Sequence, residues 1–86
     1  MTPAEFADVL RAYCAATGGS ITSWGRTPKR NKAVGGVDDS AHLLWTGADV
    51  VYDAGMAADP LRDRLALRLG LKLIHEGDHD HVQEQR

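Results

Sequence analysis

The stretch SAHLLWTGADVVY, Ser40 to Tyr52, decides the reading of this chain. Gly47 to Tyr52 has the composition and alternation of a strand, with Asp49 and Val51 on one face and Ala48 and Val50 on the other. Ser40 opens a turn that carries His42 seven positions before Asp49. Upstream, Thr2-Pro3-Ala4-Glu5 is a helix start, with a capping Thr, a Pro suited to the first turn and a Glu that completes a capping box. Phe6, Val9, Leu10 and Tyr13 then form one apolar face, and Gly18-Gly19 stops the helix. Ser20 to Trp24 reads as a short strand. A basic loop broken by Pro28 runs from Gly25 to Lys32 and continues through Gly35-Gly36 and Asp38-Asp39 to Ser40.

Downstream, Asp53-Ala-Gly55 closes the strand. Asp59-Pro60 opens a second helix, with Leu61, Leu65 and Leu69 at helical spacing and Gly70 as its stop. Leu71 to His75 is a strand and Glu76-Gly77-Asp78 a turn. His79 to Glu84 is a last short strand, and Gln85-Arg86 a tail. The order is helix, strand, long loop, strand, helix, strand, strand. It predicts a single α+β domain over residues 1–86, a small antiparallel sheet with two helices.

Composition narrows the function. A chain of 86 residues sits near the low end of what one core supports, and with so few aromatics that core rests on Leu, Val and Ala. A bound metal would add to the folding energy of so small a fold. The net charge of −2 argues against a nucleic-acid partner, and Lys29, Arg30 and Lys32 read as a solvated loop. Cys14 is the only cysteine, which rules out an intramolecular disulfide and a cysteine-based zinc site; its place among apolar residues makes it a small buried hydrophobe. The N-terminus lacks a signal pattern, and no apolar run approaches the roughly 20 residues that span a membrane. The expectation is a soluble monomer synthesised in the cytoplasm, without membrane insertion.

The candidate chemistry lies in the imidazoles and carboxylates. A His and an Asp from one segment, here His42 and Asp49, joined by a distant His, make a three-ligand zinc site with an open position. The run Glu76-Gly-Asp-His-Asp-His-Val-Gln83 supplies further donors, so that all four histidines, His42, His75, His79 and His81, are expected at or beside one site. Alternation puts His79, His81 and Gln83 on one face of the last strand and Asp80 and Val82 on the other. Asp78 belongs to the preceding turn. Arg26, at a strand end, is placed to aim a guanidinium at a carboxylate or an oxyanion.

Ser40-Ala-His42 with Asp49 seven residues on resembles the Ser-x-His-x6-Asp signature of a family of peptidoglycan-cleaving zinc peptidases. Its members are D-Ala-D-Ala carboxypeptidases, dipeptidases and phage L-alanyl-D-glutamate endopeptidases of the Hedgehog/DD-peptidase fold. Thr22 to Pro28, Asn31, Gly35-Gly36 and Ser40 resemble the approach to that motif, and Asp78 with His81 resembles the second motif, an acidic residue three positions before a His ligand. The resemblance implies Zn2+ held by His42, Asp49 and His81, with Asp78 as general base. His79 could share that role, and Glu76 is a third candidate. Arg26 would bind a substrate carboxylate or steady the oxyanion, and Ser40 would hold the geometry behind the ligands. The partner would be a peptidoglycan stem peptide, reached at the cell wall after release or lysis. The chain carries Trp45 where the family usually has Gly, and Gly47 where Ala is usual. The competing readings are an inactive relative that binds cell-wall peptide or metal without turnover, and a purely structural zinc.

Overall fold

The computed structural model describes residues 1–36 and 40–85; the loop expected at Asp38-Asp39 and the tail residue Arg86 lie outside them. Helix α1 spans Pro3–Thr17 and is followed by β1, Gly19–Ser23. Helix α2 spans Pro28–Ala33, and a 3-10 helix, Ala41–Leu44, leads into β2, Gly47–Tyr52. Helix α3 spans Pro60–Arg68, and the hairpin of β3, Leu71–His75, and β4, Asp80–Glu84, completes the chain. The fold is α+β, as the element pattern predicts, with a four-stranded sheet in the order β1-β2-β4-β3 and every neighbouring pair antiparallel. Strand β4 therefore inserts between β2 and β3, which run parallel to one another and are joined through α3.

Three local rules build the helices. The α1 capping box forms: Thr2 Oγ1 accepts from Glu5 N at 3.1 Å, and Glu5 Oε1 accepts from Thr2 N at 3.0 Å. The expected basic loop contains a third helix, α2. Pro28 begins it rather than breaking a loop, because Thr27 caps it (Arg30 N to Thr27 Oγ1, 3.2 Å) and proline suits the first helical position. In α3 the leucine spacing misjudges the buried face. Leu61 is 67% exposed, whereas Arg62 and Ala66 are buried and Leu65 and Leu69 only partly so. Arg62 takes the inner position because its guanidinium lies 3.7 Å from the Tyr52 ring centroid and donates to the Gly55 and Ala57 carbonyls.

The sheet has two unlike faces. Against the helices stand Ala48, Val50 and Tyr52 of β2, Val82 of β4 and Leu71 of β3, packed on Phe6, Leu10 and Tyr13 of α1 and Ala66 of α3. Each large side chain buried there contributes about 1.5–3 kcal/mol. The opposite face carries Asp49 on β2, His81 and Gln83 on β4 and Ile74 on β3.

A hydrogen-bonded chain crosses the helix side. Tyr13 donates to the Tyr52 hydroxyl (2.6 Å), Tyr52 donates to Asp80 Oδ2 (2.7 Å), and His75 Nδ1 donates to Asp80 Oδ1 (2.7 Å). His75 Nε2 reaches Asp63 Oδ1 of α3 at 3.1 Å. Asp80 is only 2% exposed, so these bonds replace the water its carboxylate has lost. Burial pushes the Tyr13 hydroxyl up to about 12 and Tyr52 higher still. Removing the Tyr52 hydroxyl with Tyr52→Phe leaves Asp80 and Tyr13 each short of a partner. Urea unfolding is expected to show a loss of about 1–3 kcal/mol; an unchanged midpoint would remove the chain from the stability account.

The network also corrects the place of His75. It pairs with Asp80 across β3 and β4, so it lies on the helix side, away from His81. Its hydrogen bond to Asp80, aided by Asp63, raises its pKa above the ordinary imidazole value. Folding thus favours protonated His75. That contribution is complete below the unfolded pKa of about 6.5 and is lost as pH rises through the higher folded value. The stability advantage of wild type over His75→Ala is expected to be larger near about pH 5.5 than near about pH 8.5. Equal differences at the two pH values would contradict this.

Candidate metal centre

Asp49 and His81 are directly opposed in the β2–β4 register, on the face turned from the helices. His42 joins them from the 3-10 helix that precedes β2. Ser40 caps that helix, its Oγ accepting from His42 N at 3.2 Å. Strand β1 continues into a segment that grips the helix from the side: Arg26 N donates to the His42 carbonyl at 2.9 Å, and His42 Nδ1 donates to the Trp24 carbonyl. Gly47 lets the turn fold onto its own strand, since a Cβ there would lie 2.8 Å from Ala41 Cβ. The close approach accounts for glycine at a position where the resemblance leads one to expect Ala.

The three donor atoms form a nearly equilateral triangle. His42 Nε2 is 3.3 Å from Asp49 Oδ1 and 3.3 Å from His81 Nδ1, and His81 Nδ1 is 3.4 Å from Asp49 Oδ1. Donors at about 2.0–2.1 Å from a tetrahedral ion lie about 3.3 Å from one another. The chain therefore has a His-Asp-His group of the right size to hold a metal ion. Both rings present a lone pair to the centre, because the other nitrogen of each donates to an oxygen: His42 Nδ1 to Trp24, and His81 Nε2 to Gln83 Oε1 at 2.8 Å. His42 is 1% exposed, and burial lowers its pKa despite the Trp24 carbonyl and Asp49, favouring the neutral ring that a metal needs.

One side of the triangle opens into a cleft of about 580 Å3. Arg26 and Ser40 line one wall and Ile74, Glu76 and His79 another. Arg26 Nε is buried without a hydrogen-bond partner among the described residues. His79 turns Nε2 inward, 3.1 Å from Glu76 Oε2 and 3.7 Å from Asp49 Oδ1. Its Nδ1 is 2.6 Å from Asp78 Oδ1, and this hydrogen bond is the main cause that raises the His79 pKa. Asp78 itself is 91% exposed and stands behind the ring. The structure thus brings His42, Asp49, His81, His79, Glu76, Arg26 and Ser40 to one cleft. It puts Asp78 one ring removed, and His75 on the opposite side of the sheet.

Two contributors escaped the sequence reading. The Trp24 carbonyl holds His42, and a backbone acceptor leaves no trace in residue identity. Gln83 holds His81, and its signal was available in its spacing of two along the same strand. Trp45 also gains a physical account. It closes the 3-10 helix at φ 59°, the left-handed region that favours glycine. Its indole lies against Gly25, where a Cβ would come within 1.9 Å of ring atom Cδ2, and its carbonyl accepts from Trp24 Nε1 at 3.3 Å.

Comparison of the chain with family models, curated proteins and solved structures returns no match. No helix among the described residues is long and apolar enough to cross a membrane.

Two outcomes follow from the geometry. A divalent transition-metal ion should bind at about one equivalent, and alanine at His42, Asp49 or His81 should abolish tight binding in equilibrium dialysis. Gly25→Ala should displace the Trp45 indole and lower metal affinity and thermal midpoint together, because Gly25 lies between the Trp24 and Arg26 groups that hold His42. A Gly25→Ala protein with wild-type affinity and midpoint would exclude the clamp.

Proposed function

We propose that the chain is a zinc-dependent hydrolase of peptide bonds in peptidoglycan stem peptides, related to the D-Ala-D-Ala carboxypeptidases and L-alanyl-D-glutamate endopeptidases of the Hedgehog/DD-peptidase fold. The observation that carries the reading is the triangle of His42, Asp49 and His81, with edges of 3.3–3.4 Å, at the floor of an open cleft. Two nitrogen donors and one carboxylate suit zinc. Three protein ligands with an open side are the catalytic rather than the structural pattern. Zinc supplies Lewis acidity and a water made acidic enough to ionise near neutral pH.

The surrounding residues divide the remaining work. His79 Nε2, facing Asp49 across the cleft, takes up the proton from the attacking water. Asp78 Oδ1 accepts from His79 Nδ1, keeping that ring's free lone pair inward and steadying its protonated form. In this arrangement Asp78 acts through His79, and Glu76, 3.1 Å from Nε2, accepts from that nitrogen once it has taken up the proton. Arg26, lining the cleft with its Nε unpaired among the described residues, offers a cation to the developing oxyanion or to a substrate carboxylate. Ser40 acts on His42 through the turn.

A second reading, a binding module without turnover, draws on the exposure of Asp78 and its separation from the ligand triangle. Incubating the zinc-loaded protein with purified peptidoglycan and with D-Ala-D-Ala peptides separates the two. Release of stem-peptide fragments, reduced about 100-fold or more by His79→Ala while zinc stays bound, supports the hydrolase. One equivalent of zinc with no cleavage of any muropeptide would leave the binding module.

A further inference from the structure

We propose that Gln83 is the positioning residue that selects which nitrogen of His81 faces the metal. The inference rests on the metal-centre reading and adds a device to it.

His81 occupies β4, an inner strand hydrogen-bonded on both sides, so its backbone has little freedom to choose a ring orientation. The ring can still offer either nitrogen. Nδ1 carries the free lone pair only when the proton sits on Nε2, and that proton needs an acceptor. Gln83, two residues along on the same face, provides it: Oε1 stands 2.8 Å from His81 Nε2. Gln83, paired with Gly47 on β2, lines the same cleft as His81.

The chemical type of the acceptor matters as much as its position. Gln83 offers a neutral amide oxygen, and His42 is held by an equally neutral oxygen, the Trp24 carbonyl. Neither ring is drawn toward imidazolate by a carboxylate, so Asp49 alone brings negative charge to the three donors. A divalent ion held there keeps a net positive charge and its strength as a Lewis acid. A carboxylate at position 83 would strengthen the imidazole as a ligand and weaken that acidity.

The test uses Gln83→Met, close in shape but with only a weak thioether acceptor, and Gln83→Glu, which keeps a strong acceptor and adds charge. Tautomers are read in the metal-free proteins from 15N–1H couplings of the His81 ring. Zinc and cobalt affinities are read by competition with a chelator. In wild type, His81 is expected as the Nε2–H form. Gln83→Met is expected to mix the tautomers and weaken zinc binding about 10- to 100-fold. Gln83→Glu is expected to bind zinc at least as tightly as wild type, with a shifted cobalt spectrum. Wild-type affinity in Gln83→Met, or an Nδ1–H tautomer in metal-free wild type, would overturn the proposal. Failure of wild type to bind zinc would instead overturn the metal-centre reading, and the tautomer measurement would still decide what Gln83 does to the ring.

Discussion

Asp49 faces His81 because β2 and β4 pair antiparallel in one register, and the candidate centre depends on that pairing more than on any single side chain. Side chains alternate at period two, so a slip of one residue would turn His81 toward the helices and Val82 toward the cleft. The apolar packing of Ala48, Val50, Tyr52 and Val82 under α1 resists such a slip. The hydrophobic core thereby sets the distance between two prospective metal ligands without touching either. His42 then needs only a short, tightly held turn to complete the triangle.

Strand β4 carries two polar systems back to back. Toward the cleft it presents His81 and Gln83, and toward the helices it presents Asp80, bonded to Tyr52 and His75. Buried polar groups specify an arrangement more sharply than apolar ones, because each lost hydrogen bond leaves a desolvated partner. Asp80 draws β2, β3 and β4 together through side chains, in addition to the backbone ladder. An 86-residue chain without disulfides has few other means of holding so exacting a geometry.

Much of this was legible in the residues, for identifiable reasons. The Thr2–Glu5 capping box, the alternation of Gly47–Tyr52 and the face shared by His79, His81 and Gln83 are local patterns with local causes, and local patterns survive folding. The misreadings involve information that is not local. Pro28 reads as a breaker until Thr27 is seen to cap the helix it begins. Leucine spacing on α3 gives no hint that Arg62 finds the Tyr52 ring. His75 belongs with His81 in sequence, but the β3–β4 register pairs it with Asp80 on the other face. For the site itself, residue types and spacing pointed to His42 and Asp49 with a distant histidine, and only the family resemblance singled out His81, while the separation of Asp78 from the cleft depends on the orientation of one imidazole.

The contact between the Trp45 indole and Gly25 makes those two positions a single volume shared across the turn. Glycine at 45 would satisfy the left-handed backbone there and vacate the space beside residue 25. Tryptophan at 45 fills that space and obliges residue 25 to do without a side chain. Chains built on this pattern are expected to vary at the two sites jointly. An indole at one requires a bare backbone at the other, and a glycine at 45 frees position 25 to accept a side chain.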